Sequence, residues 1–286
     1  MTLELDDRQR AMLQEMGVRV WMPGPAFALQ GGEPQRPADA LTVKSVSDAV
    51  PVATTQRVPA PPSLISAPAV AGLARPALAT TALDLGSLDW QSLADSAQNC
   101  QACGLCAGRK HSTLRPPAEA AQVDWFFVGD PPDEDEDLQG QPFAGQAGAL
   151  LDNMLKAMGA HRGGAGASGA YVTNIVKCRP PGARLPQADE LAQCSAYLQR
   201  ELALVRPKVI VAMGRFAVAQ LLGEHVESTA LPLGKQRGTV YRYQGIPVVV
   251  TYAPKVLLRA SADKAKAWAD LCLALDVRDG LHPDPN

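Results

Sequence analysis

Cysteine is the most reactive side-chain type in this 286-residue sequence, and the spacing of its six copies is the first chemical clue. Cys100 and Cys103 form a C-x2-C pair in "QNCQACGLC", while Cys178 and Cys194 are separated by fifteen residues. Two such pairs, one on a tight turn and one joining a strand end to a helix, could fold onto one centre holding zinc or a [4Fe-4S] cluster. Spacing alone does not choose between them. Cys106 extends the first segment to C-x2-C-x2-C and could add a third ligand there, whereas Cys272, on an apolar terminal helix, reads as core. The remaining chemistry is expected at the ends of apolar runs, in "GDPPD" with Asp130, "TN" with Asn174 and "YAP" with Ala253.

Positioning those segments requires a scaffold that gathers strand ends. Apolar runs at 123–130, 170–178, 208–214 and 246–254 read as strands, and 148–159, 187–205 and 215–223 read as helices. Alternating strands and helices bounded by Gly and Pro predict an α/β fold, a parallel sheet covered on both faces. Sites in such sheets lie beyond the carboxyl ends of the strands, where these polar segments fall. The acidic run that begins at Asp133, "DEDED", reads as a solvated face.

Composition divides the chain further. Residues 5–16 read as a short helix, followed by Val18, Val20 and Trp21 in an extended run. From 23 to 85, Pro, Ala, Val, Ser and Thr dominate, which predicts a flexible tether with little to bury. The expected organisation is a partner-binding peptide at 1–22, a linker at 23–85, an α/β domain at 86–276 and a tail at 277–286. A formal charge of −2 gives no general attraction to nucleic acid, so phosphate binding would need a local basic patch. No run reaches the roughly 18 apolar residues of a membrane span, and the start lacks an apolar signal core. A cytoplasmic protein with no membrane partner is expected, its cysteines being ligands or buried thiols.

Taken in order and spacing, "QNCQACGLCAGR", "FVGDPPDEDEDLQGQPFAGQAGALLDNML", "YVTNIVKCRPPGARLP" and "RGTVYRYQGIPVVVTYAPKVLLR" resemble the iron-sulfur (family 4) uracil-DNA glycosylases over nearly all of 97–272. The resemblance implies a three-layer α/β/α fold around a central four-stranded parallel sheet. It implies a [4Fe-4S] cluster on Cys100, Cys103, Cys178 and Cys194, leaving Cys106 outside. By the same resemblance Phe143 is the aromatic on which uracil stacks and Asn174 the amide that reads the base edge. Lys177, Arg179 and Arg184 would lie near DNA phosphates, giving weak, salt-dependent DNA binding. Two departures stand out. Ala253 occupies the place of the family's histidine, which hydrogen-bonds the departing base, and Asp133 occupies that of the second glycine in a Gly-Glu-x-Pro-Gly loop. Losing one preorganised donor costs on the order of 10²–10³ in rate.

A second resemblance concerns "LQEMGVRVW" (13–21), which is similar to the peptide that opens the psi subunit of bacterial DNA polymerase III. It implies that Leu13, Met16, Val18 and Trp21 anchor the chain on the clamp loader. The body would then meet the chi subunit and, through it, single-strand-binding protein. The combined expectation is a non-catalytic replisome scaffold of the psi type. The alternative is an iron-sulfur uracil-DNA glycosylase with altered or weak base excision, in which Asp130 could orient water and Lys255 could replace the missing donor. A third reading is a DNA-binding damage sensor that recognises without cutting.

Overall fold

The computed structural model describes residues 84–117, 122–223 and 232–282. The peptide bearing Leu13, Met16, Val18 and Trp21, and the linker up to residue 83, lie outside the described residues. The body is a six-stranded sheet in the order β2-β3-β1-β4-β6-β5. Its strands are β1 (Val123–Gly129), β2 (His161–Arg162), β3 (Gly166–Asn174), β4 (Val209–Met213), β5 (Val240–Tyr243) and β6 (Ile246–Thr251). The four central strands run parallel, as expected, and β2 adds a fifth parallel strand. At the other edge β5 is antiparallel to β6, joined by the two-residue turn Gln244-Gly245, both at positive φ. Sequence reasoning missed these edges because β2 has only two residues and β5 is half-exposed, so neither carries a long apolar run.

Side-chain alternation divides the core into two layers. Phe126, Val128, Ile210, Ala212, Val248 and Val250 face one side, packed with α1 (Trp90–Asn99), α4 (Ala188–Val205) and α5 (Arg215–Leu222). Trp125, Phe127, Val211, Met213 and Val249 face the other, against α3 (Gly145–Ala157) and α8 (Lys264–Arg278). Between these lie the short helices α2 (Glu134–Gln139), α6 (Leu233–Gln236) and α7 (Pro254–Arg259). Burial on both faces explains why β1 and β4 are nearly all apolar.

Register then fixes where the site must be. Gly129 pairs with both Asn174 and Met213, and Met213 pairs with Thr251, so four strands end level. Asp130, Asn174, Gly214 and Ala253 therefore emerge together at the carboxyl edge. Among the described residues no helix is long and apolar enough to cross a membrane.

One expected DNA-facing residue points the other way. Lys177 is 1% exposed and donates to Glu201 Oε2 at 2.6 Å, Thr173 Oγ1 at 2.7 Å and the Asn174 carbonyl at 2.8 Å. All three ammonium protons are used inside the protein. Glu201 Oε1 accepts from Tyr171 and Thr173, each at 3.0 Å, so the network pins α4 to the end of β3. Lys177 is a core ion-pair residue, not a phosphate contact. Replacing it with Met should destabilise the fold by about 3–5 kcal/mol, because Glu201 is left buried without its cation. Equilibrium urea denaturation checks this, and Lys177→Met/Glu201→Leu should recover much of the loss.

Candidate functional site

At the carboxyl edge the organising group is Glu136, whose residue is fully buried. Its Oε2 accepts from the Asp133 amide at 2.8 Å and from Lys255 Nζ at 2.6 Å. Its Oε1 accepts from the Phe143 amide at 2.6 Å and from Asn174 Nδ2 at 3.0 Å. Four donors from four segments thus converge on one carboxylate. The expectation that this acidic run is a solvated face is corrected for Glu136 and Asp137, the latter 1% exposed with its Oδ1 taking the Lys110 amide at 3.0 Å. A signal was present in the sequence: Asp133-x-x-Glu136 is a capping box, and Asp133 Oδ1 accepts from the Glu136 amide at 3.0 Å.

That carboxylate sets the orientation of its neighbours. Asn174 Nδ2 has two acceptors, Glu136 Oε1 and the Asp130 carbonyl, the latter also at 3.0 Å. The amide must therefore turn its oxygen the other way, and Asn174 Oδ1 is buried with no hydrogen-bond partner. Phe143 has φ of +54°, held there by the bond from its amide to Glu136 and by Arg162 on its carbonyl at 3.2 Å. Its ring lies directly on Gly129, where a Cβ would sit 2.1 Å from Cζ.

Asp130 stands at the start of α5. Its Oδ1 accepts from the Phe216 amide at 2.9 Å, and its carboxylate packs on Gly214, where a Cβ would come within 2.2 Å of Oδ2. Burial pushes the Asp130 pKa above its ordinary value, against the pull of the Phe216 and Ala217 amides and the charges of Arg215 and Lys255.

Across from it, Ala253 is the cap residue of α7, with its methyl buried and no side-chain bond to the helix. Two residues on, Lys255 Nζ bridges Glu136 and Asp133, 2.9 Å from Asp133 Oδ2. Burial alone would lower the Lys255 pKa, but the two carboxylates more than offset it and hold the ammonium above its usual value. Asp133 itself has φ of −94°, ordinary extended backbone, so it caps α2 and pairs with Lys255 without needing a glycine's freedom. Of the other expected phosphate contacts, Arg179 pairs with Glu134 at 3.3 Å and Arg184 with Glu190 at 2.7 Å, both near the surface.

Behind β3, Cys100, Cys103, Cys178 and Cys194 line one cavity with Leu105 and Tyr197. Arg109 Nη1 donates to Cys178 Sγ at 3.2 Å and the Lys177 amide to Cys194 Sγ at 3.3 Å. Burial pushes the Cys194 thiol up to about 12 and that of Cys103 to about 11. Cys106 is not in the cavity wall. Among the described residues, no three His, Cys, Asp or Glu side chains close on a single-ion site.

Residues 116–272 match the Uracil DNA glycosylase superfamily. The chain belongs to that superfamily. It is 37% identical over 175 residues to the type-4 uracil-DNA glycosylase of Archaeoglobus fulgidus, covering 59% of this chain and 84% of the relative. It is also 33% identical over 193 residues to the type-4 uracil-DNA glycosylase of Pyrobaculum aerophilum, covering 65% of this chain and 93% of the relative. The corresponding enzyme of Saccharolobus solfataricus is 35% identical, covering 58% and 76%. These relatives correct the expectation of a non-catalytic psi-type replisome subunit. They are named as glycosylases, and nothing in them points to the clamp loader, the chi subunit or single-strand-binding protein as partners.

In this superfamily member the Gly129–Phe143 contact leaves no room for a methyl. Gly129→Ala should push the Phe143 ring from its seat and lower stability by about 1–3 kcal/mol. Thermal or urea denaturation measures it; an unchanged midpoint would mean that the ring moves freely.

Proposed function

We propose that this chain is an iron-sulfur uracil-DNA glycosylase whose base excision is altered or weakened by the alanine at 253. One observation carries the reading: the buried, unpartnered Oδ1 of Asn174, beside Asp130 and Phe143 at the level ends of the sheet. An unsatisfied buried acceptor costs about 1–3 kcal/mol, and it is satisfied when a ring N–H docks against it. Uracil offers such a donor at N3. In this reading the nucleotide is turned out of the strand, the base stacks on Phe143, and Asn174 Oδ1 accepts from its edge. The glycosidic bond then breaks with its electron pair going to the base. Asp130, fixed by the Phe216 amide, orients the water that adds to the sugar carbon. Ala253 supplies no donor to the departing base. Arg179 and Arg184 are the basic residues left for backbone contact, each already paired with a glutamate, so DNA binding is expected to be weak and strongly salt-dependent.

Cys100, Cys103, Cys178 and Cys194 are proposed to hold a [4Fe-4S] cluster. Four thiols line one cavity there, two N–H donors already face the sulfurs, and the type-4 resemblance favours a cluster over zinc. When bound, the cluster would cross-link the segment before β1, the loop after β3 and helix α4. Cys178→Ser should therefore remove the visible iron-sulfur absorption of protein purified under anaerobic conditions and lower its thermal stability. A full cluster spectrum in that variant would remove Cys178 from the ligand set.

Excision of uracil from a single-stranded oligonucleotide tests the main reading. The wild-type rate should fall as pH drops through the raised Asp130 pKa, above the ordinary 3.8, because protonated Asp130 no longer accepts from water. Asp130→Asn should lose most activity together with that acid limb. Persistence of the limb in the variant would assign it to another group.

A further inference from the structure

Resting on the glycosylase reading, the geometry points to Lys255 as the donor that meets the departing base in place of the absent imidazole. Lys255 lies on the first turn of α7, two residues beyond Ala253, so the same strand-end loop carries both the loss and the substitute. Its Nζ is anchored, not free-swinging: it reaches Glu136 Oε2 at 2.6 Å, and the other oxygen of that carboxylate holds the Asn174 amide and the Phe143 backbone. A single carboxylate therefore separates the ammonium from the group that grips the base edge. The charge of Lys255, like that of Arg215, also works against the rise that burial gives the Asp130 pKa. The lysine thus touches two carboxylates of the site, Glu136 and Asp133.

Its donor count leaves room for a ligand. An ammonium has three N–H bonds, of which one goes to Glu136 and one to Asp133 Oδ2 at 2.9 Å. The Glu136 side chain is fully buried. The Asp133 side chain, by contrast, is 42% exposed and also caps α2, so it keeps a partner and gains water if Lys255 turns away from it. Both the third N–H and the one on Asp133 are therefore available to a carbonyl oxygen entering beside Asn174.

The step balances without another reactant than water. The C1′–N1 bond breaks and its electron pair moves onto the base, where the charge gathers on the ring carbonyl oxygen. Lys255 donates a hydrogen bond to that oxygen and keeps its proton. Water adds to C1′, its released proton passes through Asp130 to solvent, and the base anion is protonated after it leaves. A charge-assisted donor is stronger than a neutral one, which suits a site where the charge appears only in the transition state.

The experiment is single-turnover excision of uracil from a single-stranded oligonucleotide by the full chain with its cluster. Lys255→Met should slow the chemical step by about 10²-fold with little change in the DNA concentration at half-saturation. Lys255→Arg, which keeps the charge, should retain most of the rate, and Ala253→His in the Lys255→Met background should restore part of it. Circular dichroism and the cluster absorption confirm that each variant is folded. An undiminished rate in folded Lys255→Met overturns the assignment while leaving the glycosylase reading intact. So does a covalent adduct trapped by borohydride, which would make the lysine a nucleophile instead of a donor. Absence of excision by the wild type at any enzyme excess overturns both.

Discussion

The buried carboxylate of Glu136 is the constraint on which this site depends. A fully enclosed carboxylate is tolerable only when its lone pairs are answered, and here four donors answer them from the Asp133 loop, Phe143, the end of β3 and α7. Because the donors come from separate segments, satisfying one charge assembles the whole carboxyl edge. Phe143 keeps its uncommon positive φ through this bond, and Asn174 turns its buried oxygen away from Glu136 because its nitrogen is already engaged. The preorganisation of the proposed base seat is thus a by-product of keeping one charge satisfied.

The loops that carry Asp133 and Ala253 are physically joined. Asp133 in one loop and Lys255 beside Ala253 in the other form an ion pair across the mouth of the site. Seen separately, a missing imidazole and an added aspartate read as damage to two loops. In the fold, Asp133 caps α2 and pairs with Lys255, which stands two residues beyond Ala253. This coupling is invisible along the sequence, because the two residues are 122 positions apart.

What could be read from the chain follows the same logic. The central strands were legible because burial on both faces demands unbroken apolar runs, and the helices over 188–205 and 215–222 because good helix formers run through them without a break. The two-residue β2 and half-exposed β5 carry no such pattern. The four cysteines were legible by type and spacing, whereas the inward turn of Lys177 was not, since a lysine beside a strand end reads as surface until Glu201 is placed beneath it. Glu136 was hidden within an acidic run whose ordinary reading is solvation. The functional expectation failed for a related reason: nine residues resembling a partner peptide, a tether and two changed loops were given more weight than residues 116–272, which carry the family likeness.

The most direct measurement is uracil excision by folded Glu136→Gln protein compared with wild type. Glutamine matches the carboxylate in shape but replaces one acceptor oxygen with a donor, so either Asn174 and Phe143 or Asp133 and Lys255 must face a repelling N–H. The account predicts that the wild type excises uracil and that this variant loses at least about two orders of magnitude in rate. Equal rates in the two proteins would contradict it.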